Sequence, residues 1–166
     1  METVFRDYIE TPLGLMVVEA TPRGVSKIRF LEEGEEILDD LPNPHTMDAI
    51  EWIDNYFQGN SKLGFDFAID LSGTTFQKQV WKELCKVKYG TVATYLDISE
   101  RIGNPKAIRA VGAANGQNPI ALAIPCHRVI GSDGTLTGYA GGLGRKKWLL
   151  QHEGYIKYGQ EQLSLF

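Results

Sequence analysis

The stretch "KYGTVATYLDISERIGNPKAIRAVGAANGQNP", residues 88–119, decides the architecture of this 166-residue chain. Thr94 offers a hydroxyl to the first free amides of a short helix running through Arg101. Gly103 supplies a turn, Asn104 suits an N-cap and Pro105 the first helical position, so a second helix is expected to about Asn115 with Gly116 closing it. Two short helices about a glycine-bearing turn form a helix-turn-helix pattern. The shape alone does not establish DNA binding. The contents of the second helix say more: Ala107, Ala110, Gly112, Ala113 and Ala114 keep its surface low, with Lys106 and Arg109 projecting from it. A major-groove reader normally presents several Asn, Gln and Arg side chains. A smooth helix with one arginine suits close approach to a narrow groove, or tight packing on another helix.

Upstream, "LSGTTF" marks a boundary near residues 71–76, where Thr74 and Gln77 form a capping box for a helix to about Cys85. That helix places Cys85 among Val80, Trp81 and Leu84, as a small buried apolar residue. Before the boundary the chain reads as strands and a helix. "LGLMVVEA" and "GVSKIRFLEE" flank the turn "TPRG" as a hairpin. "EEGEEILDD" is a solvated acidic patch. "TMDAIEWIDNYFQGN" has Met47, Ile50, Ile53 and Phe57 at helical spacing, and "GFDFAIDL" alternates as a further strand.

Charge divides at the same boundary. Residues 1–70 hold fifteen acidic and five basic side chains, net −10, and residues 71–166 hold six and twelve, net +6. Such asymmetry suits a polyanion partner for the second half. No run approaches the eighteen apolar residues of a membrane span, and "METVFRDYIE" lacks the order of a signal peptide, so a cytoplasmic protein is expected. Its two cysteines, Cys85 and Cys126, are expected as free thiols.

Downstream lies "ALAIPCHRVIGSDG", residues 121–134. Cys126 is a poor metal-ligand candidate, because no paired Cys or His spacing accompanies it among only three histidines. A core position at the end of a buried strand "IALAIP" is plausible, although Pro125 breaks that strand and His127–Arg128 would be costly to bury unpaired. As a nucleophile, Cys126 would have a base in His127, with Glu153 of "WLLQHEG" to orient the imidazole. Nucleophile leads core residue, and both stay open on chemistry alone.

Together "IPCHRVI", "GNPKAIRAVG", "NGQNPIALAIPCHRV", "GYAGGLGRKKWLLQHEG" and "GTTFQKQVWKEL" resemble the O6-alkylguanine-DNA alkyltransferases, almost continuously over residues 72–155. The first half resembles that family more loosely, through "TPLGLMVVEAT". The resemblance implies that Cys126 takes an alkyl group from O6 of guanine, and with it O4 of thymine, in one irreversible displacement. His127 would be the base, acting through a water, with Glu153 behind it and Tyr95 as the proton donor toward the base's N3. Arg109 would enter the base stack after nucleotide flipping through the minor groove, with Lys106, Ala107, Ala110 and Ala113 on the DNA face. Asn118 would brace the turn before the cysteine, and Arg128 would pair structurally. Tyr139, Ala140 and Val129 would line the pocket, with Ala140 standing where several relatives carry serine.

The implied fold is α+β: a ribonuclease-H-like antiparallel sheet and helix over residues 1–71, then a winged-helix-like helical domain over 72–156. Neither cofactor nor metal is expected; the zinc site of some relatives lies in the N-terminal domain, where this chain offers only His45. The expected partner is double-stranded DNA bearing O6-alkylguanine, met by a monomer. The tail 157–166 ends in Gln162, Leu163, Ser164, Leu165 and Phe166, similar to the peptides with which bacterial repair proteins bind the sliding clamp. Three other readings compete. A damage-recognition protein without activity would lack the cysteine, and a thiol hydrolase would leave the smooth helix without purpose. A helix-turn-helix regulator would leave "PCHR" unexplained.

Overall fold

A computed structural model describes residues 2–156, so the clamp-like peptide Gln162–Phe166 lies outside the described residues. The chain divides into two compact units. The first runs to Ser72 and also takes in Pro119–Ala121; the second holds Gly73–Asn118 and the chain from Leu122 onward. Elements of both kinds are present, in a mixed α+β arrangement.

In the first unit, β1 (Phe5–Thr11), β2 (Gly14–Thr21) and β3 (Gly24–Phe30) form an antiparallel sheet in that order. The β2–β3 hairpin turns at Thr21–Gly24, as its Pro/Gly signal requires. β1 comes from the charged N-terminal stretch, where the sequence showed no strand. Its charges are used across the ladder: Arg6 lies opposite Glu19 and pairs with it at 2.8 Å. Helix α1 (Pro44–Phe57) opens with a capping box between Asn43 and Thr46 and packs on all three strands.

Two expectations for this unit are corrected. α1 buries Ala49, Trp52, Ile53 and Tyr56, an i, i+3, i+4, i+7 stripe, whereas Met47 is 59% exposed and Ile50 and Phe57 are only half-buried. The chosen stripe carries the aromatic area: Trp52 stacks on Tyr56 and meets the edge of Phe67. "GFDFAIDL" is not a strand. It hydrogen-bonds to β3 at Val25, which exchanges bonds with Ala68 and Asp70. The rest of that edge is occupied, because Ile28 pairs in the same way with Pro119 and Ala121. Gly24 permits the close approach, since a Cβ there would lie 2.8 Å from the Ile69 carbonyl carbon.

In the second unit, α2 (Thr75–Leu84) begins with the Thr74–Gln77 capping box and buries Val80, Trp81 and Leu84. Cys85 caps its C-terminus but is exposed, not buried, because it falls off the apolar stripe of that helix. Two-residue strands β4 (Ala93–Thr94) and β5 (Val129–Ile130) pair in parallel. β4 runs straight into α3 (Tyr95–Arg101), capped by Thr94. α4 (Ile108–Gly116) starts later than expected: Asn104 and Ala107 close a separate turn, with Ala107 N–H donating to the Asn104 carbonyl at 3.0 Å, leaving Pro105 and Lys106 outside the helix. Helix α5 (Leu143–His152) packs on a 3-10 turn, Cys126–Arg128. Ile130, Leu136, Leu150 and Ile156 join in one buried cluster here. Among the described residues, no helix is long and apolar enough to cross a membrane.

Candidate active site

The site lies wholly within the second unit and is assembled by short-range devices. "IALAIP" is buried but is not a strand; residues 121–123 turn, and Leu122 takes a left-handed backbone (φ 69°), the sole non-glycine among the described residues to do so. A pleated strand cannot include such a residue. The chain then enters the 3-10 turn that carries Cys126 and His127, both buried, and leaves it as β5. The parallel pairing of β5 with β4 brings Tyr95, the next residue after β4, into the same neighbourhood.

His127 is fully buried and its Nε2 lies 2.7 Å from Glu153 Oε2. Arg128 grips the same carboxylate twice, Nε to Oε1 at 2.7 Å and Nη2 to Oε2 at 3.1 Å, and donates from Nη1 to the Val87 carbonyl at 2.7 Å. Burial alone would raise the Glu153 carboxyl, but the charges and hydrogen bonds of His127 and Arg128 outweigh it and hold the group well below the ordinary carboxylate range. Glu153 is therefore an acceptor only, which puts the ring proton of a neutral His127 on Nε2. Nδ1 is left with a free lone pair and has no partner among the described residues. Burial also pushes the His127 pKa below its usual value, against the pull of Glu153 and with the help of Arg128 and Lys146.

Cys126 is 6% exposed, and burial raises its thiol above the ordinary range. Opposing that rise are a hydrogen bond from the Asn118 side chain and the charge of Lys146. A thiol held this way needs a base to become a nucleophile, and Nδ1 of the adjacent His127 is an acceptor without a proton. Asn118 also donates to the Ile124 carbonyl at 2.7 Å. Tyr95 donates its hydroxyl to the Thr137 carbonyl at 3.2 Å, and its phenol is raised by burial, so it carries its proton at neutral pH. Tyr139 meets the His127 ring edge-on, with a buried hydroxyl lacking a partner among the described residues. Val129 is buried and Ala140 exposed.

On α4, Arg109, Ala110 and Ala113 are exposed on one face, while Val111, Ala114 and Asn115 are buried on the other. Lys106 is exposed just ahead of the helix and Ala107 is its half-buried N-cap. The buried face is tied down by Trp81 Nε1 donating to the Ala114 carbonyl at 2.8 Å. Asn115 Nδ2 adds a longer bond to the carbonyl of Cys126 at 3.4 Å.

The sequence reading missed Lys146 and Asn115. Lys146 is fully buried and donates to the carbonyls of Val129 and Thr137, with a pKa lowered by burial to about 8. In "GRKKW" it looks like one of three solvated cations. Its spacing gives it away: Lys146 shares a helical face with Leu143, Leu149 and Leu150. Asn115 occupies the i+4 position from Val111 and is recognisable in the same way.

Protonation of this cluster opposes folding. His127 and Glu153 are both depressed in the folded chain, which means the unfolded chain binds the extra protons. The stabilisation is complete above the unfolded pKa of each group and is lost as pH falls through its folded value. Urea midpoints should therefore decline below about pH 6.5, and continue to decline through the carboxylate range. A midpoint flat from pH 7 to pH 4 would contradict this arrangement.

The family described as "6-O-methylguanine DNA methyltransferase, DNA binding domain" matches residues 75–155. The chain is 44% identical over 154 residues to a methylated-DNA–protein-cysteine methyltransferase of Methanosarcina barkeri, covering 90% of this chain and 97% of that one. It is 46% identical to the protein of the same name from Shigella flexneri, over 78% of this chain and 74% of that one. Among solved structures, the O6-methylguanine methyltransferase of Mycobacterium tuberculosis matches with a TM-score of 0.81 and 42% identity, over 91% of this chain and 93% of that one. A structure of the Mycobacterium tuberculosis OGT in complex with DNA matches with the same TM-score and 41% identity, over 90% and 93% of the two chains.

Proposed function

The chain belongs to the methylated-DNA–protein-cysteine methyltransferase family, and from that premise we propose that it repairs DNA by moving the alkyl group of O6-alkylguanine onto Cys126. The observation that carries the reading is the buried imidazole of His127, held by Glu153 through Nε2, with Nδ1 left an open acceptor on the residue next to Cys126 in the chain. In the proposed step the thiol proton passes through a water to Nδ1. The Sγ lone pair then attacks the alkyl carbon, the carbon–O6 bond breaks, and its electron pair stays with the guanine. Tyr95 donates its phenolic proton to N3 of the departing base. The thioether formed has no leaving path, so each molecule acts once, with no cofactor or metal in the step.

A duplex hides O6 inside the stack, so the nucleotide must be flipped out. The exposed, low face of α4 with Arg109, flanked by Lys106, Ala107, Ala110 and Ala113, supports approach through the minor groove. Arg109 then fills the gap left by the flipped base. Asn118 braces the Cys126 loop, and Tyr139, Ala140 and Val129 line the pocket. O4-alkylthymine is a second substrate of the same chemistry. The acting species is a cytoplasmic monomer, built of a ribonuclease-H-like part over residues 1–71 and a winged-helix-like part over 72–156. Gln162–Phe166 serves as a sliding-clamp peptide.

Intact mass after incubation with duplex O6-methylguanine tests the reading. One methyl group per chain, on the peptide containing Cys126 and stopping at one equivalent, is expected; turnover, or no adduct on folded protein, overturns it. Arg109→Ala should slow transfer from a duplex by about tenfold or more, while transfer from a single strand changes little, because only the duplex pays for unstacking. Equal loss on both substrates would remove Arg109 from the flipping step.

A further inference from the structure

The carboxylate that orients His127 is shared, and the share is unequal. Glu153 receives one hydrogen bond from the imidazole and two from the Arg128 guanidinium. Arg128 cannot drift away from this position. Its Nη1 is fixed to the Val87 carbonyl and its guanidinium lies 5.6 Å from the centroid of the Tyr89 ring. Glu153 is fully buried at its side chain and Arg128 is 11% exposed there, so solvent does little to weaken the pair.

We infer that Arg128 is a positioning residue whose cation neutralises Glu153 and thereby keeps His127 an uncharged base rather than the cationic half of an ion pair. This rests on the proposed reading of Cys126 and His127. A lone buried carboxylate 2.7 Å from Nε2 would favour the imidazolium, and an imidazolium has no lone pair at Nδ1 to accept a proton. With Arg128 bound to the same carboxylate, the charges of that pair cancel, and burial then favours the neutral ring.

The other groups around the ring act in the same direction or carry no charge. From α5 come Glu153 and Lys146, whose ammonium charge disfavours a second cation. From the turn itself come Arg128 and Cys126, the latter held as a thiol by burial. From the loop after β5 comes the edge of the Tyr139 ring, its phenol raised well above its usual range by burial. Beyond Arg128 lie Tyr89 and, at the end of α2, Cys85; partial desolvation by neighbouring atoms raises both, although Cys85 is exposed at the surface, and neither adds a charge. Glu153 is the only anion of this set, and Arg128 is bound to it.

The test is a pH titration of the His127 ring by NMR on the full chain, assigned against His45 and His152 with a His127→Gln variant. The wild-type ring should be neutral at pH 7 with its proton on Nε2. In Arg128→Met the ring should titrate about one to two units higher. The acid limb of the transfer rate should move up by the same amount, with the rate above pH 8 little changed. Arg128→Lys, which keeps the charge, should bring the titration back toward wild type. An imidazolium in the wild type at pH 7, or an unmoved titration in folded Arg128→Met, overturns the inference. If Arg128→Met does not fold, the wild-type protonation state and the Arg128→Lys titration still decide: a Lys variant titrating as high as pH 8 would mean that charge is not what keeps the ring neutral. The titration needs no activity, so a chain that transfers no methyl group but shows these ring shifts would sink the functional reading and leave the charge assignment standing.

Discussion

Cys126→Ser protein, incubated with excess duplex O6-methylguanine, gains no methyl group in the time that converts the wild type fully. The loss expected is on the order of 10⁴-fold or more in transfer rate, the scale seen when an enzyme's nucleophile is removed. The reason is chemical rather than structural. Serine differs by one atom and fits the same buried 3-10 turn, and Asn118 remains as a hydrogen-bond partner. Its hydroxyl is far less acidic than a thiol, and a neutral imidazole cannot make useful alkoxide from it. The measurement is a single-turnover time course by intact mass, with a urea midpoint close to wild type as the control. A Ser variant that accepts methyl at a rate near the wild type's would mean that Cys126 is not the acceptor.

The second large effect is on Glu153. Glu153→Gln should lower stability by about 3–5 kcal/mol, because the Arg128 guanidinium stays buried with the Val87 carbonyl and no anion. It should also slow transfer by about 10²-fold or more, because the amide can present either its oxygen or its NH₂ group to Nε2 and no longer fixes the imidazole tautomer. Removing both charges should cost less stability than removing one, so Glu153→Gln with Arg128→Met should be more stable than Glu153→Gln alone. A double variant whose loss equals the two single losses added together would show that the pair is not coupled. Urea denaturation of the four proteins, with single-turnover rates beside it, supplies both readouts.

How much of this was legible beforehand depended on how local the cause was. The capping box at Thr74 and the cap at Thr94 were readable because four consecutive residues contain the whole interaction; that Asp97 closes a box at Thr94 as well went unread. The β2–β3 hairpin was readable because its turn chemistry is local. The face of α1 was not. Met47, Ile50 and Phe57 repeat at helical spacing as well as Ala49, Trp52 and Tyr56 do, and only the Trp52–Tyr56–Phe67 packing chooses between them. "GFDFAIDL" alternates like a strand, yet the edge it would need is filled from fifty residues further on, by Pro119–Ala121.

Within the site, Cys126, His127 and Glu153 were picked out by residue type, since a thiol, an imidazole and a carboxylate have recognisable chemistry. Arg128 was read as structural pairing, and its two bonds to the carboxylate that also binds His127 depend on where α5 ends. Lys146 shows the other failure: between Arg145 and Lys147 nothing local singles it out, although its helical face belongs with Leu149 and Leu150.

The left-handed backbone at Leu122 has a bearing on how this protein can be engineered. Glycine there would relieve about 1–2 kcal/mol of conformational cost. It would also empty a site where the leucine is 1% exposed, at a cost of about 2–5 kcal/mol. Stabilising schemes that replace every left-handed residue with glycine would therefore weaken this chain at the bend four residues before its nucleophile.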